Sequence, residues 1–143
     1  MPASKPRQRV ACYVTRDGHA GPELLVFDHV DFPEAGTQVP AGGIDPGESL
    51  GAAAVREIRE ETGLRTVLYD GPLGESTRPH PETGAGRATT YVHCRADDPR
   101  SSWTVRVGGA GGDEGLLFRC WWTPLPLRDV TLADHQGEFL HRI

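Results

Sequence analysis

Three acidic residues lie close together in a stretch of the chain that has the composition of a helix. Residues 49–62 are rich in Ala, Glu, Arg and Leu, and Glu57, Glu60 and Glu61 share about one third of the helix circumference. Like charges one turn apart destabilise a helix by about 0.2 to 0.5 kcal/mol per pair. A solvated acidic face relieved by neighbouring arginines is one interpretation. The other is a site for a hard cation such as Mg²⁺ or Mn²⁺, which prefers carboxylate oxygens.

The residues around these glutamates follow a fixed pattern. From Gly42 to Leu64 the sequence is GGIDPGESLGAAAVREIREETGL. This stretch resembles the signature of the Nudix family, in which a Gly, a Glu and the run Arg-Glu-aliphatic-x-Glu-Glu-x-Gly-aliphatic occur at set spacings. By average residue usage, chance would give such a match on the order of once in ten million chains of this size. Every specified position matches: Gly42, Glu48, Arg56, Glu57, Ile58, Glu60, Glu61, Gly63 and Leu64.

The resemblance implies a metal site on this helix. In the family, the glutamates at the positions of Glu57, Glu60 and Glu61 bind divalent cations. The carbonyl of the residue before the first motif glycine, here Ala41, often supplies a further ligand. Mg²⁺ is the expected cofactor, with Mn²⁺ as a substitute, because both ions take oxygen ligands.

The remaining motif residues have supporting roles in the family. Arg56 is expected to act with the catalytic residues, because it orients the glutamates through charged hydrogen bonds. Glu48 braces the loop and the start of the helix. Gly42 and Gly63 allow tight turns at the two ends of the motif.

The reaction that the resemblance implies is Mg²⁺-dependent hydrolysis of a diphosphate bond in a nucleoside diphosphate derivative. The metal would neutralise the diphosphate and activate a water for in-line attack on phosphorus. A carboxylate must accept a proton from that water, and Glu60 and Glu114 are the two candidates for this general base. Glu114 lies in a Gly-rich segment where similar proteins often place an acid near the metals. The alternative for Glu114 is a surface acid in a loop.

The loop that follows the signature bears on the substrate, although it assigns no substrate-binding residue. Pro79 stands sixteen positions after Gly63, and a proline near this offset is associated with Nudix enzymes that act on ADP-ribose. An ADP-ribose-like substrate is therefore slightly favoured over nucleoside triphosphates or dinucleoside polyphosphates. A module that senses a nucleotide without hydrolysing it is the alternative function. His80 could contact substrate, but an isolated histidine in a loop is more often a surface residue.

Short apolar runs before the signature predict the strands that position it. Residues 9–15 and 23–29 form a strand pair, and a third extended piece at residues 36–40 leads into a glycine turn at residues 41–43. Acidic and hydroxyl residues precede the helix over residues 49–62 and glycine follows it, as is typical of helix ends.

The second half of the chain predicts further strands and a closing helix. A polar loop over residues 71–87 separates two of the strands, and a helix over residues 132–143 ends the chain. A sheet covered by helices is an α/β fold, and the resemblance implies a Nudix-type α/β/α sandwich with a mixed sheet and a catalytic loop-helix-loop. The strands are predicted at residues 65–69, 88–95, 103–107 and 116–123.

The properties of the whole chain limit its partners. At 143 residues it has the size of one domain, so we expect a single Nudix domain over residues 1–143 with a flexible tail over about residues 1–8. The net charge of -5 disfavours nucleic-acid binding and leaves a small-molecule nucleotide as the expected partner. No long apolar run or secretory signal is present, so we expect a soluble cytoplasmic protein with no membrane partner. The resemblance also allows a homodimer, since many relatives are dimers.

Overall fold

The computed structural model describes residues 5–109 and 112–143. Within these ranges, no helix has the length and apolar character needed to cross a membrane. Among the described residues, the one α-helix is α1 (Leu50–Thr62), and short 3-10 helices lie at Pro33–Ala35, Ala133–His135 and Leu140–Arg142. The strands are β1 (Arg7–Gly18), β2 (Gly21–His29), β3 (Ala41–Gly43), β4 (Val67–Ser76), β5 (Arg87–Ala96), β6 (Ser102–Arg106) and β7 (Leu117–Pro124).

The strands form one mixed sheet in the order β4-β5-β1-β2-β7-β6, and β3 pairs with β1 outside this path. β1 and β5 run parallel, whereas the other pairs are antiparallel. One edge of the long strand β1 pairs with β3 over residues 9–11 and with β2 over residues 15–18. The start of the signature is therefore fixed beside the start of β1.

Helix α1 begins and ends where its flanking residues predict. The Ser49 side chain accepts a hydrogen bond from the Ala52 N–H at 3.1 Å, which satisfies one of the open donors of the first turn. Gly63 adopts a left-handed conformation with φ of 76° and donates its N–H to the Arg59 carbonyl. The predicted helix and its C-terminal glycine turn are confirmed.

Both faces of the sheet are covered. On one face, Ala53, Ala54 and Ile58 of α1 are fully buried against apolar residues of the central strands. On the other face, Tyr13 and its neighbours pack against Leu132 and the C-terminal segment. Burial of apolar surface on two sides stabilises the sheet at roughly 25 cal/mol per Å². The predicted sandwich around a mixed sheet is confirmed.

The predicted helix over residues 132–143 is wrong, because this segment contains only two single-turn 3-10 helices. Asp134 and His135 have φ values of 53° and 54°, which are incompatible with a right-handed helix. The Gln136 side chain accepts a hydrogen bond from the buried Val39 N–H at 2.8 Å. Such long-range contacts override the weak helical preference of a short segment.

Two strand predictions also need correction. The predicted glycine turn at residues 41–43 is strand β3, and the extended piece at residues 36–40 forms only isolated bridges. The polar loop predicted over residues 71–87 begins later, because β4 continues through Gly71 and Pro72 to its end at residue 76. These residues are tolerated because β4 is an edge strand whose register with β5 shifts between Tyr69 and Gly71 and again between Pro72 and Gly74.

The predicted N-terminal tail is partly wrong. Residues 1–4 lie outside the described residues, but Arg7 and Gln8 belong to β1 and pair with β5. Arg7, a basic residue near the start of the chain, is thus fixed to the sheet.

Candidate functional site

A cavity of about 560 Å³ opens where the signature meets β1 and the loop before β7. Its lining is strongly charged, with acidic side chains from α1 and that loop and basic side chains from β1. The lining includes all the predicted site residues: Ala41, Arg56, Glu57, Glu60, Glu61 and Glu114. It also includes charged or titratable residues outside that prediction: Arg7, Arg9, Asp45, His80 and Asp113.

Arg56 connects the acidic groups of the signature. Its Nη1 donates to Glu57 Oε1 at 2.8 Å and to Glu60 Oε2 at 3.3 Å. Its Nη2 donates to the Gly43 carbonyl at 2.8 Å, which ties the guanidinium to β3. One side chain thereby fixes the orientation of two carboxylates in the cavity, as expected for a bidentate planar donor.

Glu48 holds the other side of the Arg56 guanidinium. Both Glu48 carboxylate oxygens accept hydrogen bonds from Arg56 at 2.8 Å, and Oε1 also accepts the Asp45 N–H at 3.0 Å. The hydrogen bonds from Arg56 lower the pKa of Glu48 to about 2. Glu48 braces the loop before α1, as the resemblance implies.

Glu57 and Glu61 are buried carboxylates that face the cavity. Only 8% and 5% of these residues are exposed. The Ala41 N–H donates to Glu61 Oε1 at 2.7 Å, which is the only hydrogen bond to that carboxylate among the described residues. Burial raises the pKa of both carboxyl groups, and the pKa of Glu61 lies well above the ordinary value. The hydrogen bond from Arg56 opposes this rise at Glu57, and the hydrogen bond from the Ala41 N–H opposes it at Glu61.

Glycines make room for two of the glutamates. A Cβ added at Gly42 would lie 2.3 Å from the Glu57 Oε1 atom. A Cβ added at Gly109 would lie 2.5 Å from the carboxylate carbon of Glu60. Gly42 lies in β3 and has no positive φ, so the prediction that it allows a tight turn is wrong. Its physical role is the close approach of a carboxylate to the backbone.

The loop before β7 adds two acids to the cavity. Glu114 lines the cavity, as its position in the Gly-rich segment suggested, and its neighbour Asp113 does too. The negative charge of Asp113 contributes to the raised pKa of Glu61, behind burial and the charge of Glu57. Sequence reasoning missed Asp113, although its place beside a predicted site residue was an available signal.

Arg7 and Arg9 are the basic residues of the cavity that sequence reasoning missed. They are two positions apart in β1 and therefore point to the same face of the strand. In the described parts of the chain, neither guanidinium forms a salt bridge. Burial, followed by the positive charges of Arg87 and Arg7, lowers the pKa of Arg9. The period-two spacing of the arginines was the signal for this pair.

Pro79, on which the preference for an ADP-ribose-like substrate was based, is not part of the cavity lining. Pro79 is exposed, and its carbonyl accepts a hydrogen bond from Arg87 Nη2 at 3.0 Å. His80, the next residue, does line the cavity. Pro79 and His80 therefore lie in one loop, and only His80 lines the cavity.

The glutamates have the chemistry of a divalent-cation site, and their oxygens bond to donors of the protein. Among residues 5–109 and 112–143, no three His, Cys, Asp or Glu side chains already lie close enough to hold an ion. Arg56 holds Glu57 and Glu60, while the Ala41 N–H holds Glu61. A cation bound by these oxygens would offset the desolvation and mutual repulsion that raise the pKa values of Glu57 and Glu61.

The fold and the site together define an α/β protein whose carboxylates are presented by a loop-helix-loop motif. The model of the NUDIX domain matches residues 5–142. The chain therefore belongs to the NUDIX family, and the family predicted from the signature is confirmed.

Two relatives and one solved structure illustrate this membership. The RNA pyrophosphohydrolase of Bradyrhizobium diazoefficiens is 34% identical over 111 residues, which cover 69% of this chain and 64% of that protein. The RNA pyrophosphohydrolase of Bradyrhizobium sp. strain ORS 278 is 44% identical over 130 residues, which cover 82% and 75%. The chain thus spans less than two thirds of the first relative. A MutT NUDIX hydrolase from Burkholderia pseudomallei has the same fold, with a TM-score of 0.68, 21% identity and coverage of 98% of this chain and 99% of that structure.

Proposed function

We propose that the chain hydrolyses a diphosphate bond of a phosphorylated nucleotide in a reaction that requires a divalent cation, Mg²⁺ in preference to Mn²⁺. The observation that carries this proposal is the charge arrangement of the cavity. Buried Glu57 and Glu61 share it with Arg7 and Arg9, which form no salt bridge within the described residues. Carboxylate oxygens suit the cation, and guanidinium groups suit phosphate oxygens. A diphosphate with its cation would complement both.

The cation ligands are proposed to be Glu57, Glu60, Glu61 and the carbonyl oxygen of Ala41. A bound cation would neutralise phosphate charge and activate the attacking water. Arg56 would keep Glu57 and Glu60 oriented, since its hydrogen bonds to both exist before substrate binds. This orientation of two carboxylates in advance reduces the rearrangement that the reaction requires.

We propose Glu114 as the general base in preference to Glu60, because the two carboxylates differ in their hydrogen bonds. Glu60 is bonded to Arg56 and packs over Gly109, whereas Glu114 lines the cavity and accepts no hydrogen bond within the described residues. A free carboxylate can accept a proton from water without breaking an ion pair. Glu114→Gln should lower kcat by about a hundredfold. If Glu60→Gln has this effect and Glu114→Gln does not, Glu60 is the base.

The substrate that the relatives favour is RNA with a polyphosphate at its 5′ end. Both relatives described above carry the name RNA pyrophosphohydrolase. Internal linkages of RNA are phosphodiesters, so a diphosphate bond can occur only at a terminus. The net charge of -5 opposes binding along an RNA backbone, but it does not oppose contact with the terminal phosphates alone.

ADP-ribose stays a prediction with weaker support. Its marker, Pro79, lies outside the cavity lining and bonds to Arg87. Nucleoside triphosphates and dinucleoside polyphosphates are the other substrates of the same bond type. The predicted homodimer and cytoplasmic location also stay predictions.

A substrate panel tests the proposal. The purified protein is incubated with Mg²⁺ and 5′-triphosphorylated RNA, ADP-ribose, NADH, diadenosine tetraphosphate or nucleoside triphosphates. The matched control is the same RNA with a 5′-monophosphate, which contains no diphosphate bond. We expect cleavage of the triphosphorylated RNA that stops when EDTA removes the cation. If the correctly folded protein binds a member of the panel but cleaves none of them, the result would favour a nucleotide-sensing module.

A further inference from the structure

We propose that His80 binds the substrate by donating a hydrogen bond from its Nε2 to a phosphate oxygen. This assignment rests on the proposed function, because it places a phosphorylated nucleotide in the cavity. His80 is partly buried and lines the cavity together with Arg7 and Arg9. A ligand that fills the cavity would therefore meet the His80 ring as well as those guanidinium groups.

The contacts of the His80 ring determine which nitrogen carries the proton. Nδ1 accepts the N–H of Glu82 at 3.1 Å and the N–H of Thr83 at 3.2 Å. A nitrogen that accepts two N–H groups has no room for a proton of its own. The proton of the neutral ring is therefore on Nε2, which is a donor. Within the described residues, Nε2 has no hydrogen-bond partner.

Local hydrogen bonds hold His80 in this orientation. Its N–H donates to the Ala85 carbonyl, and its own carbonyl accepts the Gly84 N–H, both at 2.9 Å. Together with the two bonds to Nδ1, these contacts close a compact turn around the histidine. The ring is thus fixed by its own loop before any ligand binds.

Arg87 anchors the same loop to the body of the protein. Its guanidinium donates to the carbonyls of Arg78 and Pro79, and it forms a bidentate pair with the Asp134 carboxylate at 2.9 Å. Arg87 is 7% exposed, so this anchor is shielded from solvent. A donor on an anchored loop loses little conformational freedom when a ligand binds.

A neutral donor is suited to this part of the cavity. The guanidinium groups of Arg7 and Arg9 already supply positive charge to the cavity lining. The Nε2–H of a neutral imidazole adds a directed donor without adding a further charge. Because the contact would form with bound substrate and persist in the transition state, its loss should raise KM and leave kcat nearly unchanged.

The substitution His80→Asn distinguishes the proposed ligand contact of Nε2 from the contribution of Nδ1 to the structure of the loop. The asparagine side-chain oxygen takes the place of Nδ1 and can accept the Glu82 and Thr83 N–H groups, but no donor remains at the position of Nε2. We expect KM to rise about tenfold, the usual effect of one lost hydrogen bond to a charged group. His19→Asn, at an exposed histidine in the β1–β2 turn, is the matched control. An unchanged KM in His80→Asn would overturn the proposal, since it would show that the histidine only supports its loop.

Nitrogen-15 NMR of the wild-type protein tests the same assignment without turnover. We expect the His80 resonances of an Nε2-protonated neutral ring, and a shift of the Nε2 signal when Mg²⁺ and α,β-methylene-ADP are added. The proposal would be contradicted by the opposite tautomer, or by an Nε2 chemical shift that does not change when this non-hydrolysable diphosphate is added. A shift in a protein that hydrolyses no panel substrate would refute the proposed function and leave His80 as a diphosphate contact. Hydrolysis without the shift would refute the His80 assignment alone.

Discussion

The carboxylate of Glu57 occupies the space beside the backbone of Gly42, where any other residue would place its Cβ. The added atom would lie 2.3 Å from Glu57 Oε1 and 2.4 Å from Oε2, far inside van der Waals contact. Strand β3 and helix α1 therefore approach each other so closely at Gly42 that no side-chain atom fits between them. Gly42 is required by the site and not by the conformation of β3.

Gly42→Ala should displace the Glu57 carboxylate and reduce activity at least about tenfold, because a misplaced charged group stabilises the transition state poorly. Steady-state kinetics on the best panel substrate measures the change. Gly86→Ala is the control, since an added Cβ there would meet its nearest atoms only at 3.7 Å. Equal activity of the two variants would contradict this role of Gly42.

Glu48 should make stability depend on pH in the acid range. Its folded pKa of about 2 lies below the ordinary value of 4.5, so its contribution is complete above pH 4.5 and is lost as pH falls toward 2. Glu48→Gln should reduce the free energy of unfolding by about 1 to 2 kcal/mol at pH 7. The difference from wild type should shrink at pH 3, as measured by urea unfolding. A difference that is constant with pH would show that the Arg56 ion pair does not contribute.

Arg9→Gln should weaken substrate binding, because a guanidinium without a salt bridge is replaced by a neutral group in the proposed phosphate site. We expect KM to rise tenfold or more, the scale of one lost charge-assisted hydrogen bond. Arg65→Gln, at an exposed position outside the cavity lining, is the control. Equal KM values for both variants would remove Arg9 from the site.

Gln136 should stabilise the contact between the C-terminal segment and the sheet. Its Oε1 satisfies the buried N–H of Val39 at 2.8 Å, and Gln136 is 4% exposed. Gln136→Met would leave this N–H without a partner and should cost about 1 to 3 kcal/mol of unfolding free energy. Gln8→Met, at an exposed position, provides the comparison in chemical denaturation. If Gln136→Met loses no more unfolding free energy than Gln8→Met, apolar packing alone would account for the stability of the C-terminal segment.

The parts of the molecule that depend on neighbours in sequence were predictable. Ser49 and Gly63 determine the ends of α1 through local hydrogen bonds, and the glutamates between them share one side of a regular helix. The motif spacing therefore predicted the acidic residues that α1 contributes to the cavity, which are Glu57, Glu60 and Glu61.

The basic half of the cavity could not be predicted in the same way, because it depends on strand pairing. The pairing of β3 with the start of β1 brings Gly43 close to Arg7, since a Cβ added at Gly43 would lie 2.7 Å from the Arg7 guanidinium. The helix predicted at the C-terminus failed for a related reason. Gln136 and Asp134 bond to residues far away in sequence, and no local pattern encodes those partners.

Glu61→Gln tests the central claim, that the buried glutamates bind a divalent cation for hydrolysis, because the variant retains an oxygen to accept the Ala41 N–H and loses only the negative charge. The measurement compares kcat of wild type and variant on the best panel substrate, with Mg²⁺ binding followed by calorimetry. We predict a loss in kcat of at least about a hundredfold together with weaker Mg²⁺ binding. Full activity and unchanged Mg²⁺ affinity in the folded variant would contradict the account.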